Sequence, residues 1–224
     1  MEKILNINKP KGITSCRVVE HIKRNFFRLE KVGHAGTLDP MAEGVLVICI
    51  GRSTKDTSLF MDCEKEYTGE ITFGISTDSY DAEGKVLLVT ENPKVSREDI
   101  VRVFKEFEGE TEQIPPMFSA LRHKGRRLYD IARQGKTVER KPRKILIKEF
   151  ELLEFTLGEF PKAGFRVVCS RGTYIRSLAE EIGIRLGCGA HLSKLTRTRV
   201  GNFLIENATK LDDLKCKLQT ECPN

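Results

Sequence analysis

Asp39 closes the run Gly33-His34-Ala35-Gly36-Thr37-Leu38-Asp39-Pro40. The two glycines permit a tight backbone, or one that a ligand approaches closely. Pro40 biases Asp39 to an extended conformation and shapes the turn. An isolated Asp-Pro is ordinarily no more than a turn. Here a His and two Gly lie just upstream, and the apolar, β-branched run 45–50 lies just downstream. A carboxylate on a short loop at the mouth of a sheet suits a nucleophile or a base. A second candidate is Cys169-Ser170-Arg171-Gly172-Thr173-Tyr174-Ile175-Arg176, which links a strand to a helix. Gly172 permits a sharp turn, Ser170 or Thr173 can cap, and the helix start suits a phosphate. Arg176, near the first turn, has two open roles, as partner of a buried carboxylate or as a solvent-facing cation. The third is Lys65-Glu66-Tyr67, where Tyr67 serves either as core or as a stacking platform for a base.

Other chemistries lack their residues. His21, His34, His123 and His191 show no ligand spacing, and there is no Cys-x-x-Cys, GxGxxG or GxxxxGK[ST]. Neither a metal nor a nucleotide cofactor is expected. The seven cysteines are odd in number, which argues against a disulfide framework and for a reducing, cytoplasmic setting. The start is charged within three residues and carries no apolar core, so no secretory signal is expected. No 18-residue apolar stretch occurs, so no membrane helix is expected.

The net charge of +6 is unevenly distributed. Residues 118–148 hold eleven basic side chains and two acidic ones, a net +9, so the remainder sums to −3. Lys124, Arg126 and Arg127 lie in this segment, with Phe118 and Tyr129 among the cations. Blocked positive charge suits a polyanion partner and a set of solvated basic faces alike. Cations with few aromatics, and no Trp, lean toward a structured RNA held by shape.

Several elements must position these groups. Residues 3–7 alternate as a short strand. Ser15 is placed to cap a helix carrying Val18, Val19, Ile22 and Phe26. Residues 45–50 read as a buried strand, and 65–75 as a strand with Tyr67, Ile71, Phe73 and Ile75 on one face. A turn at 81–84 precedes a strand over 85–90. Ser96 with Asp99 opens a helix through Ile100, Val101, Phe104 and Phe107, which Gly109 stops. Residues 113–143 read as a long basic excursion. Strands follow at 144–157 and 164–169, then an amphipathic helix over 173–186 and a last strand near 194–205. There is no regular βαβ repeat, so mixed α+β with antiparallel pairs is expected.

The sequence resembles the TruB family, the bacterial tRNA pseudouridine-55 synthases. The matching stretches are LNINKPKGITS (5–15), KVGHAGTLDPMAEGVLVICIG (31–51), KEYTGEITFGISTDSYDAEG (65–84), QIPPMFSALRHKGRRLYDIARQG (113–135), VCSRGTYIRSLAEEIG (168–183) and GAHLSKLTRTRVG (189–201). They stand in family order, and GHxGTLDP is the most specific.

The resemblance implies an α+β fold of the pseudouridine-synthase type, with a mainly antiparallel sheet, flanking helices and a basic inserted arm at about 113–143. It implies an isomerase for one uridine of the tRNA T loop, with no cofactor and no metal; nothing in the sequence implies more than a monomer. It makes Asp39 the essential carboxylate and Arg176 the cation that keeps it ionised. Tyr67 would stack on the target base, Leu195 would lie beneath the uracil, and His34 would fill the space the flipped base leaves. Lys9 would support the active-site loops, and Tyr174 would help bind substrate. Lys124, Arg126 and Arg127 would grip the T stem-loop. Extruding a stacked uridine costs a few kcal/mol, offset by phosphate contacts and stacking in the pocket. The catalytic domain is expected over 1–205, followed by a short tail over 206–224 without the PUA domain usual in the family. A shifted RNA specificity, or a non-catalytic tRNA-binding or folding module, are the alternative readings.

Overall fold

A computed structural model describes residues 2–221; Cys222, the last of the seven cysteines, lies outside them. In chain order the strands and helices are β1 (Glu2–Lys9), α1 (Ser15–Phe26), β2 (Val32–His34), β3 (Glu43–Gly51), α2 (Thr57–Asp62), β4 (Lys65–Phe73), β5 (Ile75–Thr77) and β6 (Val86–Val89). There follow α3 (Arg97–Phe107), β7 (Gly109–Gln113), β8 (Arg122–His123), β9 (Arg126–Arg127), α4 (Leu128–Ala132), β10 (Arg143–Thr156) and β11 (Lys162–Cys169). The chain ends with α5 (Ile175–Arg185), β12 (Ala190–Val200), β13 (Phe203–Leu204), β14 (Thr209–Lys210) and α6 (Leu214–Glu221). The mixed α+β class expected above is the one found, with most strand pairs antiparallel. The chain forms two compact units, Met1–Thr68 with Leu195–Asn224, and Gly69–Lys194. Strands β4 and β12 run from one into the other.

In the first unit the strand order is β14-β1-β3-β12-β4. β1 and β3 pair antiparallel from Glu2↔Gly51 to Lys9↔Gly44. β12 joins β3 in parallel, with Thr196 opposite Glu43. Residues 45–50 are all fully buried, because both faces of β3 are covered. Val45 and Val47 pack with Ala35 and Val200, while Leu46, Ile48 and Ile50 bury the opposite face. Each such side chain contributes about 1.5–3 kcal/mol by leaving water. Gly44 (φ +103°) passes so close to β12 that a Cβ would sit 2.3 Å from the Arg197 carbonyl oxygen. In α1, Val18 and Ile22 are buried one turn apart. The cap is Thr14, whose Oγ1 accepts from the Arg17 N–H, and not Ser15 as the spacing predicted. Ser15 is turned inward instead: it donates to the Leu38 carbonyl and accepts from the Leu38 N–H. Beyond Ile205, where the sequence shows no strand pattern, β14 pairs in parallel with β1.

In the second unit the order is β12-β4-β11-β10-β7. Helix α3 opens with the expected box: Ser96 Oγ accepts from the Asp99 N–H and donates to its carboxylate. Phe104 stacks on Phe150 of β10 with centroids 3.9 Å apart, and Phe165 of β11 meets the same ring edge-on at 5.7 Å. Val103, not Val101, completes the buried stripe; Val101 faces water. The strand expected over 65–75 stops at Phe73. Gly74 (φ +90°) breaks it, and Ile75 starts β5, which pairs with β6.

The excursion 113–143 has its own elements. Arg122↔Arg127 and His123↔Arg126 form a small hairpin, β8–β9. Its turn holds Lys124 and Gly125 both at positive φ (48° and 83°), the left-handed pair of a tight two-residue loop. Met117, Leu128 and Ile131 make a local cluster, backed by Leu121, Ala132 and Val138. These apolar residues are too irregularly spaced to show a period, so the arm's small core is invisible to pattern reading.

Candidate active site and basic arm

In the first unit, β2 ends at His34 and the chain turns through Gly36 (φ +96°) to Asp39 before entering β3. Asp39 is half-buried, and its carbonyl accepts from the Ala42 N–H. Three buried side chains shape this turn from below. Lys9 is fully buried, and its Nζ donates to the carbonyls of Pro10 (2.9 Å), Ile13 (2.8 Å) and Pro40 (3.5 Å). Ser15 clamps Leu38 from both sides of its peptide. Arg197 is 1% exposed; its Nε donates to Val45 O at 2.7 Å and its Nη2 to Gly36 O at 3.0 Å. Carbonyl dipoles thus surround both cations, and charge-assisted bonds of this kind are the strong ones. His34 Nδ1 is buried without a hydrogen-bond partner. Burial, and then the nearby Arg197 guanidinium, hold the His34 imidazole below its ordinary pKa, so it is neutral at pH 7. Tyr67 on β4 and Leu195 on β12 are both buried in this unit.

In the second unit, Arg176 lies in the first turn of α5 and is 3% exposed. Its Nη1 donates to Ser79 O and its Nη2 to Phe118 O, both at 2.8 Å, while its Nε lies 3.5 Å from Asp81 Oδ2. A buried carboxylate beside it is Asp81, which also accepts from Ser79 Oγ at 2.6 Å and from the Glu83 N–H at 3.0 Å. To form this turn, Tyr80 takes φ +66°, a conformation costly for a bulky residue. The turn before α5 is clamped twice. Ser170 exchanges bonds with Leu146 of β10: its N–H donates to the Leu146 carbonyl, and its Oγ accepts from the Leu146 N–H. Tyr174 is held by the side-chain amide of Gln113.

Lys124, Arg126 and Arg127 are exposed on the arm hairpin. Beside them is a cleft of about 690 Å³, lined by Arg122, Arg126, Arg127, Arg133, Tyr129 and Asp130 among others. The Tyr129 hydroxyl accepts from Arg127 Nη1 at 2.8 Å, and its ring lies 5.6 and 5.5 Å from the guanidinium carbons of Arg127 and Arg133. Its contacts are thus with arginines.

Of the residues picked from the sequence, Asp39, Tyr67, His34, Lys9 and Leu195 belong to the first unit, and Arg176, Tyr174, Lys124, Arg126 and Arg127 to the second. Sequence reasoning passed over Arg197, Asp81 and the inward role of Ser15. Arg197 had one signal: it stands two residues after Leu195 on a strand, hence on the same face. Asp81 had none, because its partner is 95 positions away. Among the described residues no group of three or more His, Cys, Asp or Glu is placed to hold a metal ion. No helix there is long and apolar enough to cross a membrane.

Residues 24–175 match the TruB family pseudouridylate synthase (N terminal domain), and residues 176–222 match the tRNA pseudouridylate synthase B C-terminal domain. The chain belongs to the TruB family of pseudouridylate synthases. It is 50% identical over 214 residues to the tRNA pseudouridine synthase B of Clostridium tetani (strain Massachusetts / E88), covering 96% of this chain and 73% of that one. It is 50% identical over 213 residues to the protein of the same name from Francisella tularensis subsp. tularensis (strain WY96-3418), covering 95% and 69%. Among solved structures, a Cbf5-Nop10-Gar1 complex matches with a TM-score of 0.74 at 34% identity. That match covers 96% of this chain and 54% of the other, so the chain spans about half the length of that structural relative.

Proposed function

We propose that this chain is a tRNA pseudouridine synthase that converts uridine 55 of the T loop to pseudouridine. The observation that carries this reading is the GHAGTLDP turn, which presents Asp39 from a platform of buried Lys9, Ser15 and Arg197. A turn with no other chemical group would not need two buried cations and a buried hydroxyl to hold its backbone. In the reaction the N1–C1′ bond of uridine breaks and the C5–C1′ bond forms. The C5 hydrogen leaves as a proton, and N1 takes one up, so no oxidant or second substrate enters. Asp39 is the carboxylate that this rearrangement requires. Tyr67 stacks on the base, Leu195 lies beneath it, and His34 occupies the space it vacates. Arg176 supplies the cation that keeps a carboxylate ionised, and Tyr174 helps bind the substrate. The arm, through Lys124, Arg126 and Arg127, holds the phosphates of the T stem-loop. Residues 1–205 form the catalytic domain, working as a monomer in the cytoplasm without metal or cofactor.

The test is tritium release from T-loop transcripts carrying 5-³H-uridine, with no cofactor added. Wild-type protein is expected to release tritium and Asp39→Asn to release none above background. Tight T-loop binding without release would identify a non-catalytic RNA-binding module. Release by Asp39→Asn at the wild-type rate would falsify the assignment of the carboxylate.

A further inference from the structure

Gln113 is the last residue of β7 and is 9% exposed. Its side-chain amide grips one residue at two points. Oε1 accepts from the Tyr174 N–H at 2.8 Å, and Nε2 donates to the Tyr174 carbonyl at 3.1 Å. That carbonyl also accepts the first helical bond of α5, from the Leu178 N–H at 3.2 Å. Two bonds closing a ring on one residue fix both the position and the direction of the chain there. Two residues further on is Arg176.

The place of Gln113 in the fold gives this grip its meaning. Gln113 pairs across the sheet with Arg143, so the basic arm leaves and re-enters the sheet at that pair. Five residues into the arm, the Phe118 carbonyl accepts from Arg176 Nη2 at 2.8 Å. The root of the arm therefore touches the turn bearing Arg176 twice, once through the backbone of Tyr174 and once through the guanidinium itself. A buried side chain with only a packing role needs no planar donor and acceptor side by side. Only Asn and Gln offer that pair, and Asn is one methylene shorter.

Resting on the synthase activity proposed above, we propose that Gln113 is a positioning residue for Arg176. It locks the turn that carries Arg176 to the root of the arm, so that RNA held by the arm meets the guanidinium in a fixed place. Gln113 touches no substrate. Its loss acts on the chemical step and leaves the arm's grip on RNA intact.

The experiment compares wild type, Gln113→Glu and Gln113→Ala in tritium release under single-turnover and steady-state conditions. RNA affinity is measured separately by filter binding of a T stem-loop transcript. Gln113→Glu keeps the size and one acceptor but sets oxygen against the Tyr174 carbonyl. For both variants kcat is expected to fall about tenfold or more, with RNA affinity within about twofold of wild type. Because Gln113 works through Arg176, Gln113→Ala in an Arg176→Lys background should cost less than about twofold further. Wild-type kcat in a cooperatively melting Gln113→Ala protein overturns the proposal. So do equal losses in both backgrounds, or a loss confined to RNA affinity. If Gln113→Ala fails to fold, the isosteric Gln113→Glu carries the same comparison. A wild-type protein that releases no tritium refutes the synthase reading itself, whereas an active wild type with unaffected Gln113 variants refutes only this inference.

Discussion

Two sets of cations divide the molecule. Lys9 and Arg197 in the first unit are buried and donate to backbone carbonyls in and beside the turn they support. Arg122, Arg126 and Arg127 of the arm are exposed around an open cleft. The side-chain types are the same, and burial separates their work. A buried cation has left water and must recover that loss from fixed dipoles, so it cements the backbone around it. An exposed cation keeps its water and counterions, can release them to a polyanion, and adds little to stability.

Removing a buried cation should break this contrast most visibly. Arg197→Leu leaves the Val45 and Gly36 carbonyls without their charged donor and is expected to cost about 3 kcal/mol or more in denaturant unfolding. Stability within about 0.5 kcal/mol of wild type would show that Arg197 is no cement. Replacing Lys124, Arg126 and Arg127 together by Ala should do the opposite. Unfolding changes by less than about 0.5 kcal/mol, tRNA binding weakens on the order of tenfold or more, and the log–log salt slope shrinks by roughly two to three. An unchanged slope would remove the arm from the RNA interface. The smallest effect sits beside Arg197. The folded His34 pKa lies below its ordinary value of 6.5, so between the two the folded state binds fewer protons than the unfolded one. The stability His34 confers is complete above pH 6.5 and is lost as pH falls through the lowered folded value. His34→Gln should flatten the pH dependence of stability in that window; identical pH curves for the two proteins would rule out the titration.

Much of this was legible from the chain. The Ser96 box, the stripe of α3 and the buried run of β3 are local or periodic signals, and the helix and strand appear where they predict. Ser15 was misread because Thr14 offers the same capping chemistry one residue earlier, and the choice rested on Leu38, 23 positions away. The arm read as a basic excursion without elements of its own assigned, because a cluster of a few apolar residues has no period. Val101 and Val103 exchanged roles because a helical stripe is wide enough to leave the edge residue open to either side.

Sequence alone picked out the residues proposed to carry the chemistry. The order and spelling of GHAGTLDP, KEY and GTYIR point to a candidate carboxylate, ring and cation, and the charge count points to the arm. Only the tertiary structure decided what holds them. Arg197 beneath Gly36, Asp81 beside Arg176 and Gln113 on Tyr174 join positions 161, 95 and 61 residues apart. Such bonds leave no trace in local spacing, because their strength depends on burial and on dipole direction. Both exist only once the sheets have formed.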